Sequence, residues 1–492
     1  MKAFYKMIVA AVAAGVFVNA YSKVILPSFY ADNMVLQQKA LMTVKGKAIP
    51  NSTVKFKASW DNKTILAKAD AQGEFTIKFR VPAASMKAYK LSFSDGNGEK
   101  VLSDVYSGEV WLCSGQSNME MPVKGWGMIN ENDREVADAA KYPMIRFLQV
   151  RMFANKNKPA DDTELWKTWE ICSPQNVEKF SALAYLFGKE LYDRLRVPIG
   201  LVQSAYGGAS AEAWMGLETL KTFPEMKDEL EKYGKYNFVN DTIQKYAKRA
   251  EQQIPTLLYN TMLYPLHVLP VKGVIWYQGC NNVGNSNYTQ IMNGLIKSWR
   301  NLWGYNFPFY YVQLAGFLKQ ETVQPESNWA ALRWSQWKTL ELPRTGMATA
   351  VDIGNEKDIH PKNKQEVARR LALLALNKTY GKKDLVCEAP APVKYSFSEG
   401  KATLTFNNKI HVRNDSVACG FILCDANNKF VEGKAKLENP TTISITGAGL
   451  GKITAVRYDW ADYPIGNIYG DTNLPVLPFR TDEMPLVNIE KK

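Results

Sequence analysis

The chain has 492 residues, 46% of them hydrophobic and 12% aromatic, a globular composition too long for one core and therefore organised as two or three domains. Its net charge of +13 comes from lysines scattered through every region, not gathered into a basic stripe, which argues against nucleic acid as a partner. Six cysteines, none in a Cys-x-x-Cys pair, are too few for a disulfide scaffold at this length, and most of them read as buried thiols.

Residues 1–20 have the pattern of a signal peptide. Lys2 and Lys6 precede an apolar stretch over 7–18, and Val18-Asn19-Ala20 presents small residues at the outer positions that a signal peptidase reads. The stretch falls short of the ~20 residues of a membrane span, and no later segment is long and apolar enough to be one. The expected product is exported, periplasmic or extracellular, without an integral membrane segment; oligomeric state is not encoded in any motif.

From 21 to 107 the pattern is all-β. Runs such as Met42-Thr-Val-Lys-Gly-Lys, Thr53-Val-Lys-Phe-Lys-Ala and Phe75-Thr-Ile-Lys-Phe-Arg alternate apolar with polar, and turn residues separate them, which predicts an N-terminal β-sandwich. From 108 to 384 short apolar runs alternate with helical stretches. Ile199-Gly-Leu-Val-Gln, Val271-Lys-Gly-Val-Ile-Trp-Tyr, Phe309-Tyr-Tyr-Val-Gln-Leu and Met347-Ala-Thr-Ala-Val-Asp predict the strands of a mainly parallel sheet in an α/β layer fold. A charged, helix-prone stretch near 224–253 reads as a surface insertion. Alternation returns over 385–492, as in Lys401-Ala-Thr-Leu-Thr-Phe and Ile443-Ser-Ile-Thr, for a C-terminal β-domain. There, if Cys419 to Cys424 form one strand, the two thiols face opposite sides and cannot bond to each other.

The chemistry centres on Ser117. The run Val110-Trp-Leu-Cys-Ser-Gly-Gln-Ser-Asn-Met empties a strand into a small polar turn of the kind that lifts a hydroxyl clear of a sheet edge. A serine hydroxyl needs a base, and the chain holds only three histidines. His267, in an apolar setting, reads as a core residue bonded to backbone, and His411 as a solvated strand residue. His360, in Asp358-Ile-His-Pro and before a helix with Val367, Leu371 and Leu374 at helical spacing, is the base by elimination. Pro361 suits the first helical position, which would set the imidazole at the positive helix pole and disfavour its charged form. Asp358 is the first candidate to orient it and Asp352 the alternative. An oxyanion needs preorganised donors. The amides of Ser117 and of Gly207 or Gly208 are candidates, with Gln278 or Asn282 as a third donor, all at carboxyl ends of predicted strands.

Four motifs in order, Trp111-Leu-Cys-Ser-Gly-Gln-Ser-Asn-Met, Lys272-Gly-Val-Ile-Trp-Tyr-Gln-Gly, Asp358-Ile-His-Pro-Lys-Asn-Lys, and Val456-Arg-Tyr-Asp-Trp-Ala-Asp-Tyr-Pro with Pro478-Phe-Arg-Thr, resemble the bacterial sialate O-acetylesterases of the SGNH hydrolase superfamily. The resemblance spans nearly all of the mature chain. It implies Ser117 as nucleophile, His360 as base, Asp358 as its partner, and a flavodoxin-like three-layer α/β/α central domain flanked by the two β-sandwich-like domains. It implies no metal and no cofactor. Gln116 and Arg333 join Gly207, Gly208, Gln278 and Asn282 as candidate oxyanion and substrate-binding residues. Arg333 and Gln336, in Arg-Trp-Ser-Gln, resemble a further motif that contacts substrate or braces the site. One departure stands out: the family usually reads Gln-Gly-Glu-Ser-Asn where this chain has Gln278-Gly-Cys-Asn-Asn282, a thiol in place of a carboxylate.

Trp126, Trp214, Trp276 and Trp334 are candidates for stacking on sugar rings. The expected activity is removal of O-acetyl groups from sugars through an acetyl-enzyme on Ser117, with O-acetylated sialic acid as the first substrate and acetylated xylan as the alternative. From another class comes a carbohydrate-binding protein weakened in catalysis, motivated by Cys280 and the β-domains.

Overall fold

The computed structural model describes residues 24–61, 63–155, 157–235, 250–415 and 417–486; the signal-peptide pattern and the middle of the expected 224–253 insertion lie outside them. The fold is mixed α/β with several sheets.

Its organising element is one strand of 17 residues, β1 (Glu99–Gly115). The first part of β1 pairs antiparallel with Ser85–Ser94, which continues through Thr53–Ala58 to Thr64–Lys68. The alternating burial of Thr53–Ala58 and Glu74–Arg80 is the period-two pattern read from the sequence. From Val105 onward β1 is buried at every residue, and from Glu109 it joins a parallel sheet. A run buried on both faces has no reason to alternate. The N-terminal strands and the central sheet thus share one backbone and one continuous apolar core.

The other strands of the central sheet are β2 (Ile145–Val150), β3 (Leu165–Ile171), β4 (Ile199–Ala205), β5 (Gly273–Tyr277), β6 (Phe309–Gln313) and β7 (Thr345–Thr349). Their order is β7-β6-β5-β1-β4-β2-β3, all parallel except the edge strand β3. Without the β2–β3 pair, the chain order of the remaining five reads 2-1-3-4-5 across the sheet. Winding therefore reverses between β1 and β5, the point where sheets of this kind leave a crevice at the carboxyl ends of their strands.

Four longer helices flank this sheet: α1 (Ala182–Leu195), α2 (Tyr288–Trp303), α3 (Asn328–Lys338) and α4 (Lys364–Leu374). They cover opposite faces, as two neighbouring tyrosines of β6 show. Tyr311 Oη donates to Gln336 O of α3, whereas Tyr310 lies with Leu374 of α4 around Gly346. Successive strand residues point to opposite sides, so α3 and α4 do too.

The C-terminal strands form two four-stranded antiparallel sheets, with the run Phe421–Asp425 in one and Lys401–Phe406 in the other, around a second apolar core. Cys419 precedes its strand instead of beginning it, and all six cysteines are free. Among the described residues no helix is long and apolar enough to cross a membrane.

Candidate active site

Two tight turns at the winding reversal build the site. β1 ends at Gly115, whose φ of +141° and closeness to β5 admit no side chain: a Cβ would lie 2.2 Å from Tyr277 O. Two residues after β5 ends at Tyr277, Gly279 has φ +146°, and a Cβ there would meet Leu332 at 2.8 Å. Gln116 ties these turns together, its amide donating to Tyr277 O and its side-chain oxygen accepting from Gly279 N at 3.0 Å. Buried at 4% exposure, Gln116 shapes the turn from below and is not presented to substrate. A single helical turn, Ser117–Glu120, follows and leaves Ser117 half-buried.

The segment after β7 returns to this turn. His360 Nε2 lies 2.9 Å from Ser117 Oγ, across 243 residues of chain. On the other side of the ring, Asp358 Oδ1 stands 3.4 Å from Nδ1 and accepts the His360 backbone N–H at 2.9 Å. A carboxylate at Nδ1 favours the tautomer with its proton there, leaving Nε2 to accept from the serine. Burial lowers the His360 pKa below the ordinary imidazole value; Asp358 opposes that shift and Lys364 adds to it. Trp126, 45% exposed, meets the imidazole edge to face at 5.3 Å between centroids.

The expected helix-pole setting of His360 is not what forms. α4 starts at Lys364, capped by Asn363, whose side chain accepts from Glu366 N. Pro361 therefore lies in the loop, and burial is what keeps the imidazole neutral. Asp352 stands elsewhere, held by both guanidinium nitrogens of Arg370 at 2.7 and 2.8 Å and by Tyr469 Oη. Burial would raise its pKa, but these donors keep it below the usual carboxylate value. His267 Nδ1 is bonded to Tyr264 O, and His411 sits on a short strand against Tyr469.

The oxyanion candidates are arranged differently from the sequence expectation. The Gly207 N–H donates to Glu120 Oε2 at 2.6 Å, so this amide is already engaged. Gly207 does lie beside Ser117: a Cβ there would be 3.5 Å from Ser117 Cβ. Gly208 follows in the left-handed region, φ +71°. Gln278 spends both amide hydrogens, on Ala209 O and Asn282 Oδ1, and Asn282 donates to both oxygens of Glu212. Both residues are buried and join the loops after β4 and β5 instead of offering free donors. Arg333 is wholly buried, and its guanidinium donates to the carbonyls of Ala315, Ala461 and Asp462, pinning the C-terminal region to α3. Gln336, also buried, bonds Leu314 N and the carbonyls of Gln278 and Val312. Of the four tryptophans, Trp214 and Trp276 are wholly buried and Trp334, half-buried, packs against Trp337 and the C-terminal core, which leaves only Trp126 at the site.

Three participants were not singled out by sequence. Glu120, one helical turn after Ser117, has a pKa raised by burial, opposed by the Gly207 amide. Asn118 donates to Ile359 O and accepts from Lys364 Nζ. Lys364 is fully buried. Spacing could have flagged Glu120, because residues three apart on a helix share a face; nothing in the sequence marks Lys364 as buried. Burial pushes the Cys280 thiol up to about 12, so it stays protonated and unreactive at neutral pH.

The family model described as "Carbohydrate esterase, sialic acid-specific acetylesterase" matches residues 107–377. Sialate O-acetylesterase of Mus musculus is 31% identical over 487 residues, covering 88% of this chain and 89% of its own length. The Homo sapiens sialate O-acetylesterase is 29% identical over 475 residues, with 89% and 87% covered. Among solved structures, a novel carbohydrate acetylesterase from Xanthomonas citri superposes with a TM-score of 0.82 at 35% identity, covering 94% of this chain and all of that one.

Proposed function

The chain belongs to the sialic acid-specific acetylesterase family and is a carboxylic ester hydrolase acting on acetylated sugars; on that footing we propose that it works through an acetyl-enzyme on Ser117. The observation that carries this reading is the 2.9 Å contact between Ser117 Oγ and His360 Nε2, with Asp358 behind the ring. His360 accepts the serine proton as Oγ attacks the acetyl carbonyl, then delivers it to the departing sugar hydroxyl. The resulting acetyl-enzyme is opened by water, with His360 as base again, releasing acetate. Asp358 steadies the imidazolium at each stage. We assign the backbone N–H of Ser117, at the start of its helical turn, as a donor to the developing oxyanion. This is the chemistry of the SGNH superfamily, to which we assign the central sheet and its helices.

The substrate we propose first is an O-acetylated sialic acid, met after export through the signal peptide in the first twenty residues. A second reading, a neutral acetylated polysaccharide such as xylan, is favoured by Glu120. That carboxylate stands beside Ser117 with no ion pair among the described residues, and it repels a substrate carboxylate brought near. Acetate release from O-acetylated sialoglycan and from acetylated xylan, measured side by side, decides between them. Turnover of a chromogenic acetyl ester tests the chemistry itself. Pure protein that binds sugar but releases no acetate would return the chain to a binding role.

A further inference from the structure

Among the described residues Lys364 is the one fully buried lysine, and it lies beside Ser117 and His360. Its Nζ donates to Asn118 Oδ1 at 2.7 Å and to Pro361 O at 2.6 Å. Asn118 directly follows Ser117, and Pro361 directly follows His360. The same Asn118 returns a bond from Nδ2 to Ile359 O at 3.1 Å, so the turn and the loop are cross-tied on both sides of the imidazole. Among the described residues no carboxylate lies within ion-pair distance of this ammonium. The groups facing it are Asp358 from the histidine loop, Cys280 from the loop after β5, and the ring of Tyr277 at 5.8 Å. A buried charge kept without a paired carboxylate costs stability, and it calls for an explanation in function.

We propose that Lys364 is the positioning residue of this site: its ammonium sets the distance between the Ser117 turn and the His360 loop and holds positive charge beside the imidazole. This rests on Ser117 and His360 being the reacting pair. The charge favours the neutral imidazole that must accept the serine proton. The charged groups acting on His360 are Asp358, which favours the imidazolium, and Lys364, which opposes it. Burial lowers the Lys364 pKa to about 7, so Lys364 carries its charge across the acid range in which His360 titrates.

The test is the pH dependence of kcat/KM for a chromogenic acetyl ester in Lys364→Met and Lys364→Arg, with Ser117→Ala as control. Lys364→Met is expected to lower kcat by about 10- to 100-fold with KM little changed, because a displacement of about 1 Å between nucleophile and base has that cost. Its acid limb moves to higher pH, since the charge that held the imidazole neutral is gone. Lys364→Arg keeps the charge, but its larger planar fork does not fit a buried site shaped for a compact ammonium; its kcat falls while the acid limb stays with the parent. Should Lys364→Met melt below the assay temperature, Lys364→Gln is the second neutral variant with the same expected limb. A neutral variant with parental kcat, or with reduced kcat and an unmoved limb, overturns the proposal. Ser117→Ala retaining turnover would instead remove the reacting pair on which it rests, whatever the lysine variants do.

Discussion

One oxygen of Asp358 serves His360 twice, accepting its backbone N–H at 2.9 Å and standing 3.4 Å from its ring Nδ1. Asp352, the other acidic candidate, is committed to Arg370. The two carboxylates therefore separate by experiment. Asp358→Asn keeps an acceptor for the loop but loses the charge that steadies the imidazolium, and kcat is expected to fall by about 10²- to 10⁴-fold with the melting temperature near the parent's. Asp352→Asn leaves the Arg370 guanidinium buried with one partner fewer. It is expected to cost about 3 kcal/mol in urea unfolding while the folded enzyme keeps its kcat. Equal effects on both would contradict the assignment.

The direction of the Asp358 effect on pH dependence follows from the same geometry. Base catalysis needs neutral imidazole, so kcat/KM rises with pH as His360 loses its proton. Burial and Lys364 lower that pKa, and Asp358 is the one group that raises it. The parent's acid limb is expected below the usual imidazole range, and in Asp358→Asn it moves to still lower pH although the plateau falls. Profiles of kcat/KM between about pH 4 and 8 check both signs.

Arg333 separates a bracing role from substrate contact. Its three carbonyl acceptors and complete burial leave nothing to offer a sugar. Arg333→Lys replaces a planar fork by a single ammonium and leaves carbonyls unbonded in the interior. The expected loss is about 2–4 kcal/mol of stability, seen as a lower melting temperature, with KM for sugar esters unchanged.

Much of this architecture was legible in the sequence because it rests on local pattern. The alternation in Thr53–Ala58 and the continuous apolar runs of Ile199–Ala205 and Gly273–Tyr277 each carry their own period. The pairing of Ser117 with His360 was legible for another reason, the scarcity of histidine. What the sequence did not expose is where polar groups spend their hydrogen bonds. Gln278 and Asn282 are suitable donors by type, and only the fold shows that Ala209, Glu212 and each other consume them. Likewise Pro361 suits a first helical position, yet Asn363 caps α4 two residues later. Long-range bonds, such as those of Lys364 to Asn118, leave no periodic trace.

Of the four tryptophans named as stacking candidates, Trp126 is the one beside the Ser117–His360 pair. It is 45% exposed and stands against the His360 ring. Trp126→Ala is expected to raise KM for acetylated sugars by about 5- to 10-fold, the value of one aromatic stacking contact, with a smaller change for a chromogenic acetyl ester that has no sugar ring. Trp126→Phe restores most of the loss. An equal change on both substrates would mean that the indole acts only by supporting the histidine.

Glu120 presents the sharpest question of sign. Its Oε2 receives the Gly207 N–H at 2.6 Å, a short charge-assisted bond, within the space that Ser117 also borders. On the proposed mechanism an acetyl carbonyl attacked by Ser117 develops negative charge beside this turn, and an amide already held by a carboxylate cannot also hold the new oxyanion. The neighbouring negative charge opposes its formation as well. Glu120→Gln keeps an oxygen for Gly207, so the loop stays in place, but the neutral acceptor releases the amide more readily and removes the repulsion. The expected result is a rise in kcat of about 3- to 10-fold for a neutral acetyl ester, worth about 1 kcal/mol at the transition state. Burial raises the Glu120 pKa, and protonation does to the parent what the substitution does permanently. The advantage of Glu120→Gln should therefore be greatest at alkaline pH and shrink as the pH is lowered through the carboxyl's titration. A tenfold loss at every pH would show that the charge holds the Gly207 loop in its working shape instead.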